Sequence, residues 1–282
     1  PPPPPRFFFQ AEPGTRDPLW SRGLGDVYKR QMFRLIISFL TLITVLSCNK
    51  FDKVMIIGHR GAMGHIAENT IPSINKAMEL GVDGIEIDVF KCKSGELVVF
   101  HDERLERLTN SSGFIESLEL DSIKNIIVLD KYRIPTLEEV LQLIDGQVKL
   151  NIELKGYGTA SPTNHLINQY NNKGGWTEDK FIISSFKWDE LEKIRELNMT
   201  IPIAVLVNSN VNPIDALPFA KKIKAIAINP YFKDLNQKNI EKIQSTGLKV
   251  FPYTINELDD IERMIKLGVD AIITDYPERV NK

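Results

Sequence analysis

Seven side chains that can bind a metal, an anion or a proton follow short apolar runs in the sequence. They are His59, Arg60, Glu86, Asp88, His101, Glu153 and Lys155. Glu86 and Asp88 are two residues apart, as are Glu153 and Lys155, so each pair shares one face if its run is a strand. Carboxylates, imidazoles and basic groups would therefore all lie at the ends of these apolar runs.

Each residue type in this set has a chemical task. Three carboxylates in one place repel each other unless a cation joins them, and an all-oxygen ligand set suits Ca²⁺ or Mg²⁺ better than zinc. Arg60 and Lys155 can donate hydrogen bonds to a tetrahedral anion. Histidine exchanges protons near neutral pH, so His59 and His101 could form an acid–base pair. Together these tasks indicate metal-assisted cleavage of a phosphate ester.

The apolar runs alternate with amphipathic segments, which is the pattern of βα units around a parallel sheet. Strands are predicted at 54–57, 85–89, 149–153, 181–184, 203–207, 225–228, 249–253 and 271–274. Helices are predicted at 71–80, 137–144, 191–197, 237–246 and 258–267. This alternation predicts a (β/α)8 TIM barrel, an α/β fold with its active site at the carboxyl ends of the strands. A doubly wound open sheet would show the same alternation.

Two segments of the chain share one pattern, L-G-V-D-G-I-E-I-D at 80–88 and L-G-V-D-A-I-I-T-D at 267–275. Each predicts a helix that ends at a left-handed glycine, followed by a buried strand that ends at an acidic residue. Such an internal repeat is expected of βα construction.

The segment 97–134 interrupts the alternation. It is predicted to be a short insertion after strand 2, on the face where barrel enzymes keep their active sites. It begins with L-V-V-F-H-D, directly after Glu96, and continues with mostly polar residues, including S-S-G at 111–113. Thr136 and Glu139 form a predicted capping box at the start of the next helix.

The residues before position 48 are predicted to lie outside the folded domain. Residues 21–31 match the translation of a transposon adapter from DNA library preparation, so 1–31 are interpreted as a non-native leader. Residues 32–47 have the length and charge of a signal peptide, and V-L-S-C at 45–48 resembles a bacterial lipobox. This predicts lipidation of Cys48, a single barrel domain over 48–282, and an anchored location in the bacterial cell envelope, facing the periplasm or the exterior.

The net charge and the cysteine content bear on nucleic-acid binding and on disulfide bonds. The net charge is −2 and no basic block is present, which argues against nucleic acid as a partner. Lipidation of Cys48 would leave Cys92 without a partner for an intrachain disulfide. The sequence does not indicate an oligomeric state.

The motifs G-H-R-G, E-N-T, G-V-D-G-I-E-I-D-V, V-V-F-H-D, I-P-T-L-E-E-V-L and I-E-L-K occur in this order. Together they resemble the glycerophosphodiester phosphodiesterase family, and the later G-V-D-A-I-I-T-D-Y-P resembles its closing strand. The resemblance covers about residues 56–277. It implies a TIM barrel that hydrolyses glycerophosphodiesters, small-molecule substrates, to glycerol 3-phosphate and an alcohol with a divalent metal, Ca²⁺ or Mg²⁺.

The resemblance also implies roles for single residues. The metal ligands would be Glu86, Asp88 and Glu153. One of His59 and His101 would deprotonate the attacking oxygen, and the other would protonate the leaving alkoxide. The attacking oxygen could belong to water or to a hydroxyl of the substrate.

Other positions would support these groups. Arg60 and Lys155 would contact the phosphate, and Glu68 and Asn69 would hold the His-Arg loop. Tyr253 stands where the family often has tryptophan and would contact the substrate on its leaving-group side.

Two other functions would use the same fold. A related barrel enzyme could cleave lysophospholipids or phosphoinositide-like headgroups, but a longer, more apolar insertion would favour that function. A surface-anchored binding module could keep the fold without catalysis, but such a module would be expected to have lost at least one of the histidines or carboxylates.

Overall fold

The computed structural model describes residues 54–280. The predicted leader at 1–31, the predicted signal peptide at 32–47 and Cys48 lie outside the described residues. No helix between residues 54 and 280 combines the length and the apolar character that crossing a bilayer requires.

Eight parallel strands of residues 54–280 form a nearly closed barrel, and three short antiparallel strands, at 97–99, 127–128 and 132–133, lie outside it. The strands are β1 (Met55–His59), β2 (Gly84–Lys91), β3 (Leu97–Val99), β4 (Ile127–Val128), β5 (Tyr132–Arg133), β6 (Lys149–Leu154), β7 (Phe181–Ser185), β8 (Ile203–Val207), β9 (Ala227–Pro230), β10 (Lys249–Val250) and β11 (Ala271–Thr274). The sheet order is β10-β9-β8-β7-β6-β2-β1-β11. Asp270 N donates to Val250 O (3.0 Å) and Ile273 N donates to Pro252 O (3.1 Å), which joins the two ends. The predicted (β/α)8 barrel is confirmed.

Helices surround the barrel. They are α1 (Ile71–Glu79), α2 (Leu120–Ile123), α3 (Leu137–Ile144), α4 (Ala160–Tyr170), α5 (Trp188–Leu197), α6 (Leu217–Lys222), α7 (Gln237–Gln244) and α8 (Leu258–Leu267). The predicted capping box is present at the start of α3, where the side chains and backbones of Thr136 and Glu139 bond reciprocally. Gly81 and Gly268, which follow α1 and α8, have φ values of +75° and +78°, as the repeated pattern predicted.

Several predicted strands differ from the observed ones by one or two residues at an end, and the two largest differences are at 225–228 and 249–253. The strand predicted at 225–228 is Ala227–Pro230. Ala225 N donates to Ala220 O of α6 at 2.8 Å, so Ala225 still belongs to the turn that ends this helix. The strand predicted at 249–253 is Lys249–Val250. Phe251 N and Tyr253 N still donate to Ile228 O and Pro230 O at 3.0 and 3.1 Å. The chain thus stays bonded to β9 beyond the regular strand, while Pro252 has no N–H to donate.

Alternation along β2 separates the core from the site. Ile85, Ile87 and Val89 are fully buried in the core cluster between sheet and helices. Each such burial contributes about 1.5–3 kcal/mol to folding. Glu86 and Asp88 project to the opposite face, inside the barrel. The apolar residues that fix this strand therefore also fix the direction of its carboxylates.

The insertion has an apolar cluster of its own, although the sequence suggested a mostly polar segment. Strand β3 pairs with β2 in antiparallel fashion, and β4 and β5 form a hairpin. Leu105, Ile115 and Ile123 are fully buried in a cluster separate from the main core. The insertion is therefore a packed unit above the barrel mouth.

Candidate active site

The loop after β1 takes a conformation that depends on glycine. Gly61 has a φ of +88°, and a Cβ there would lie 2.5 Å from Ser73 Oγ. A Cβ on Gly58 would lie 2.4 Å from Gly61 O. Arg60, between them, has a φ of +51°, a strained value for a residue with a side chain. The two glycines allow the tight turn that presents His59 and Arg60 at the strand end.

Hydrogen bonds hold the strained backbone of Arg60. Its N donates to Glu86 Oε2 at 3.0 Å. Its carbonyl accepts from Asn69 N and from Ser73 Oγ, both at 3.0 Å. The strain is thus balanced by bonds to β2 and to α1.

Each residue of the E-N-T motif has its own partner. Glu68 Oε1 accepts from Arg60 Nη1 at 2.6 Å. Asn69 Nδ2 donates to Asp88 Oδ2 at 2.8 Å. Thr70 caps the amino end of α1 with its side-chain oxygen. The sequence predicted that Glu68 and Asn69 hold the His-Arg loop; the structure places Glu68 on the guanidinium, and the side chain of Asn69 on a carboxylate.

Glu86, Asp88 and Glu153 form a buried carboxylate cluster. One oxygen from each lies within 4.8 Å of the others. Asp88 of β2 is in register with Glu153 of β6. Burial, followed by repulsion from Asp88 and Glu153, raises the pKa of Glu86 well above its usual value. Burial and then Asp88 raise the pKa of Glu153 to about 7.

Two cations lie against this cluster. Arg60 Nε is 3.3 Å from Asp88 Oδ2, and Lys155 Nζ is 3.0 Å from Glu153 Oε1. Burial alone would lower the pKa of Lys155, but Glu153 and Asp88 outweigh it and raise that pKa. Burial alone would raise the pKa of Asp88, but Arg60 and Lys155 outweigh it and lower that pKa. Both basic groups stay charged and can bind an anion.

The cluster fits a divalent cation. Within residues 54–280, Glu86 Oε1 and Asp88 Oδ1 are buried oxygens without a hydrogen-bond partner. Such oxygens are costly unless a cation or a donor reaches them. The donor set is all oxygen, which hard cations prefer. Glu86, Asp88 and Glu153 could therefore hold the metal that the sequence predicted.

His59 is oriented by an acidic residue from the last strand end. His59 Nδ1 lies 2.6 Å from Asp275 Oδ1, and Asn256 Nδ2 donates to Asp275 Oδ2 at 2.7 Å. Burial alone would raise the pKa of Asp275, but the hydrogen bond and charge of His59, the hydrogen bond from Asn256 and the charge of Arg60 together lower that pKa. The ionised carboxylate fixes the proton on Nδ1. His59 Nε2 is then free to act, 3.9 Å from Glu86 Oε2.

His101 is oriented in the same way by its neighbour. His101 Nδ1 lies 2.6 Å from Asp102 Oδ1, and Lys155 Nζ lies 3.2 Å from His101 Nε2. Lysine only donates, so Nε2 is the acceptor and Nδ1 carries the proton. Burial lowers the pKa of His101, although Asp88 opposes this. Both histidines thus turn Nε2 toward the carboxylate cluster.

Arg107 holds Asp102 from the outer side. Arg107 Nε and Nη2 donate to the two oxygens of Asp102 at 2.5 and 3.0 Å. Burial opposes the charge on Asp102, but the bonds from Arg107 and His101 lower its pKa to about 2.

Four supporting residues were not assigned a role from the sequence: Asp102, Arg107, Asn256 and Asp275. Asp102 and Asp275 end recognised motifs, H-D and T-D, so their position could have identified them. Arg107 and Asn256 lie in polar segments without a local pattern, and only the fold reveals their partners.

A cavity of about 160 Å³ opens between the histidines and the carboxylates. Of the seven predicted residues, all except the fully buried Asp88 line it. A larger groove of about 480 Å³ lies between the loops at 210–214 and 234–239, but none of the seven lines it. The chemistry therefore belongs to the smaller cavity.

Tyr253 also lines the smaller cavity. Its hydroxyl donates to Val207 O at 2.7 Å, and its ring packs edge-on against Phe186 with centroids 5.8 Å apart. Burial raises the pKa of Tyr253, so the phenol stays protonated. Because the hydroxyl is occupied, the ring is the part of Tyr253 that faces a ligand.

The fold and this site define a barrel enzyme that acts on phosphate esters. The model of the Glycerophosphoryl diester phosphodiesterase family matches residues 59–279. A glycerophosphodiester phosphodiesterase of Caldanaerobacter subterraneus is 37% identical over 239 residues, which is 80% of this chain and 96% of the relative. One of Bacillus subtilis is 32% identical over 257 residues, 82% of this chain and 86% of the relative.

A solved phosphodiesterase structure has the same fold as this chain. A phosphodiesterase of Oleispira antarctica, in complex with the product sn-glycerol-3-phosphate, superposes with a TM-score of 0.74 at 26% identity. The match covers 80% of this chain and 95% of that protein. The chain belongs to the glycerophosphoryl diester phosphodiesterase family and is a phosphoric diester hydrolase.

Proposed function

We propose that the protein hydrolyses glycerophosphodiesters to glycerol 3-phosphate and an alcohol. The observation that carries this proposal is the pair of histidines, His59 and His101, each with Nδ1 on a carboxylate at 2.6 Å and Nε2 toward one cavity. Two imidazoles held in this way can accept a proton on one side of a phosphorus atom and donate one on the other. Relatives named for this activity support the proposal.

Arg60 and Lys155 bind the phosphate. Both side chains line the cavity and stay positively charged beside the carboxylates. The guanidinium can donate two parallel hydrogen bonds to phosphate oxygens, and the ammonium adds a point charge. Charge that develops on the phosphate oxygens during the reaction is stabilised by these fixed donors.

The histidines move the protons. One imidazole Nε2 accepts the proton of the attacking hydroxyl, whether water or a substrate hydroxyl, as its oxygen bonds to phosphorus. The other imidazole, protonated, gives its proton to the leaving alkoxide as that P–O bond breaks, so the alcohol leaves neutral. Asp275 and Asp102 hold the Nδ1 protons in place and stabilise the imidazolium that forms.

Glu86, Asp88 and Glu153 would hold Ca²⁺ or Mg²⁺. When bound, the ion would supply positive charge that polarises the phosphate.

The test follows glycerol 3-phosphate released from glycerophosphoethanolamine by the purified protein, with Ca²⁺, with Mg²⁺ and with a chelator. We expect release that the chelator stops and that one of the two ions restores. A folded protein that releases no glycerol 3-phosphate with either ion would overturn the proposed function.

We also propose that Cys48 carries a lipid that anchors the protein in the bacterial cell envelope, facing the periplasm or the exterior. The proposal rests on the V-L-S-C sequence at 45–48 and the apolar run before it. In a bacterial host grown with labelled palmitate, the chain should take up label, and the Cys48→Ser variant should not. An unlabelled wild-type chain would contradict the anchor.

A further inference from the structure

Two unpaired polar groups lie at the wall of the catalytic cavity. Within the described part of the chain, Asn151 Oδ1 and Ser184 Oγ are buried and have no hydrogen-bond partner. Asn151 is 3% exposed and Ser184 is fully buried, and both line the cavity. Buried polar groups in native proteins are nearly always paired, and because these two line the cavity, a bound ligand can reach them and supply the partner.

The strand register places both groups beside the carboxylates. Asn151 of β6 is in register with Glu86 of β2, and Ser184 of β7 is in register with Glu153 of β6. Asn151 and Glu153 are two residues apart and share the inner face of their strand. The unpaired groups therefore lie next to two of the three proposed metal ligands.

The chemistry of these groups selects the part of a substrate that they can bind. Asn151 Oδ1 is an acceptor only, so it repels phosphate oxygens and requires a donor such as a hydroxyl. The hydroxyl of Ser184 can donate or accept. Arg60 and Lys155 already provide the donors that the phosphate needs. A neutral polyol group next to the phosphate fits Asn151 and Ser184.

The size and remaining walls of the cavity agree with a small polyol. The cavity has a volume of about 160 Å³, well below the roughly 300–1,000 Å³ of sites for drug-sized ligands. Leu206 and Phe186 provide apolar contacts for carbon atoms on the same wall. A three-carbon chain with hydroxyls matches this mixture of surfaces.

We propose that Asn151 and Ser184 form a hydroxyl-binding subsite that selects the glycerol portion of the substrate. This inference rests on the proposed function, because the substrate must carry glycerol. A glycerol hydroxyl donates to Asn151 Oδ1, and Ser184 Oγ pairs with the same or the neighbouring hydroxyl. The subsite gives affinity for the polyol and leaves the phosphate contacts unchanged.

Equilibrium binding tests this subsite without turnover. The affinities of glycerol 3-phosphate and of methyl phosphate, which lacks the hydroxyls, are measured by calorimetry in the same metal-containing buffer. In Asn151→Ala and Ser184→Ala, glycerol 3-phosphate should bind about tenfold more weakly, the effect of one lost hydrogen bond to the ligand. Methyl phosphate should bind within twofold of wild type.

Asn229→Ala is the matched control. Asn229 is also fully buried inside the barrel with an unpaired side chain among residues 54–280, but it does not line the cavity. This variant should keep the wild-type ratio of the two affinities. Metal affinity is measured for every variant, and Asn151→Ala should keep it.

Three results would overturn the inference: equal weakening of both ligands, no weakening of either, or a loss of metal affinity in Asn151→Ala, which would make Asn151 a metal ligand. Failure of the proposed function would be recognised by a different result: the wild-type protein would release no glycerol 3-phosphate from a glycerophosphodiester.

Discussion

Arg107 and Glu68 form a two-pronged ion pair that joins the insertion to the loop after the first strand. Arg107 Nη1 lies 2.9 Å from Glu68 Oε2, and Arg107 Nη2 lies 2.7 Å from Glu68 Oε1. Since Glu68 also binds Arg60, Arg107 also binds Asp102, and Asp102 binds His101, one chain of contacts runs from the Arg60 guanidinium to His101. The two sides of the catalytic cavity are therefore mechanically linked.

Arg107→Ala should lower kcat/KM by at least about tenfold, which corresponds to about 1.4 kcal/mol of lost transition-state stabilisation. The reason is that Asp102 and the buried Glu68 both lose a charged donor. Arg107→Lys should recover only part of the loss, because lysine cannot bridge two carboxylates with a planar fork. Steady-state kinetics measures the effect.

The control for this prediction is Arg104→Ala. Arg104 is on the same insertion and pairs with Glu106 on the surface, so its loss should leave kcat/KM unchanged. Equal kinetics for wild type and Arg107→Ala would show that the link does not position the site.

Asp275→Asn should reduce kcat by about 10² to 10⁴, the range seen when a histidine loses its orienting carboxylate. The amide cannot accept from His59 Nδ1 while also satisfying the donor from Asn256. KM should change little, because phosphate contacts remain. Asp270→Asn, at the opposite end of the same strand segment, should affect thermal stability rather than kcat, since Asp270 accepts from Val250 N. A wild-type kcat in Asp275→Asn would show that Asp275 does not orient His59 for catalysis.

Glu86→Gln and Glu153→Gln should each weaken divalent metal binding and activity together, as measured by calorimetry and by product release. Each substitution removes one charge from three carboxylates within 4.8 Å. In the metal-free state Glu86→Gln should raise the melting temperature, because burial and the repulsion from Asp88 and Glu153, which raise the pKa of Glu86, no longer act on an ionisable group. Glu119→Gln, an exposed carboxylate paired with Lys93, serves as the control. Unchanged metal affinity in both buried variants would reject the three-carboxylate site.

Asp102 should make stability depend on pH in acid. Its folded pKa is lowered to about 2, below the usual value of 3.8. A lowered folded pKa contributes stability that is present above the unfolded value and is lost as pH falls through the folded value. The difference in melting temperature between wild type and Asp102→Asn should therefore shrink between pH 4 and pH 2. A difference that stays constant over this range would show that Asp102 titrates normally in the folded protein.

The barrel was predictable because its signals are local. Apolar runs, glycine-terminated helices and the Thr136–Glu139 capping box each follow from a few adjacent residues. Strand extents were less predictable, since they depend on pairing with neighbouring strands, such as β9 and the last strand on either side of β10.

The sequence predicted those residues of the site that lie at the ends of strands. Residues that end strands meet at one mouth, so their proximity follows from the fold class. The partner of Arg107 is 39 residues away in the chain, and no sequence pattern specifies such a pair. The occupied hydroxyl of Tyr253 depends on a carbonyl 46 residues away for the same reason. Tertiary contacts of this kind appear only when the chain is folded.

The separate apolar cluster of the insertion has a consequence for local opening. Leu105, Ile115 and Ile123 pack apart from the main core, against Phe90 of β2 and Cys92 just after it, so we expect the insertion to open locally while the barrel persists. Such an opening would separate Arg107 from Glu68 and from Asp102, so the fraction of molecules that keep both contacts would be set by this unit's own free energy of opening. Thermal inactivation would then precede thermal denaturation of the barrel.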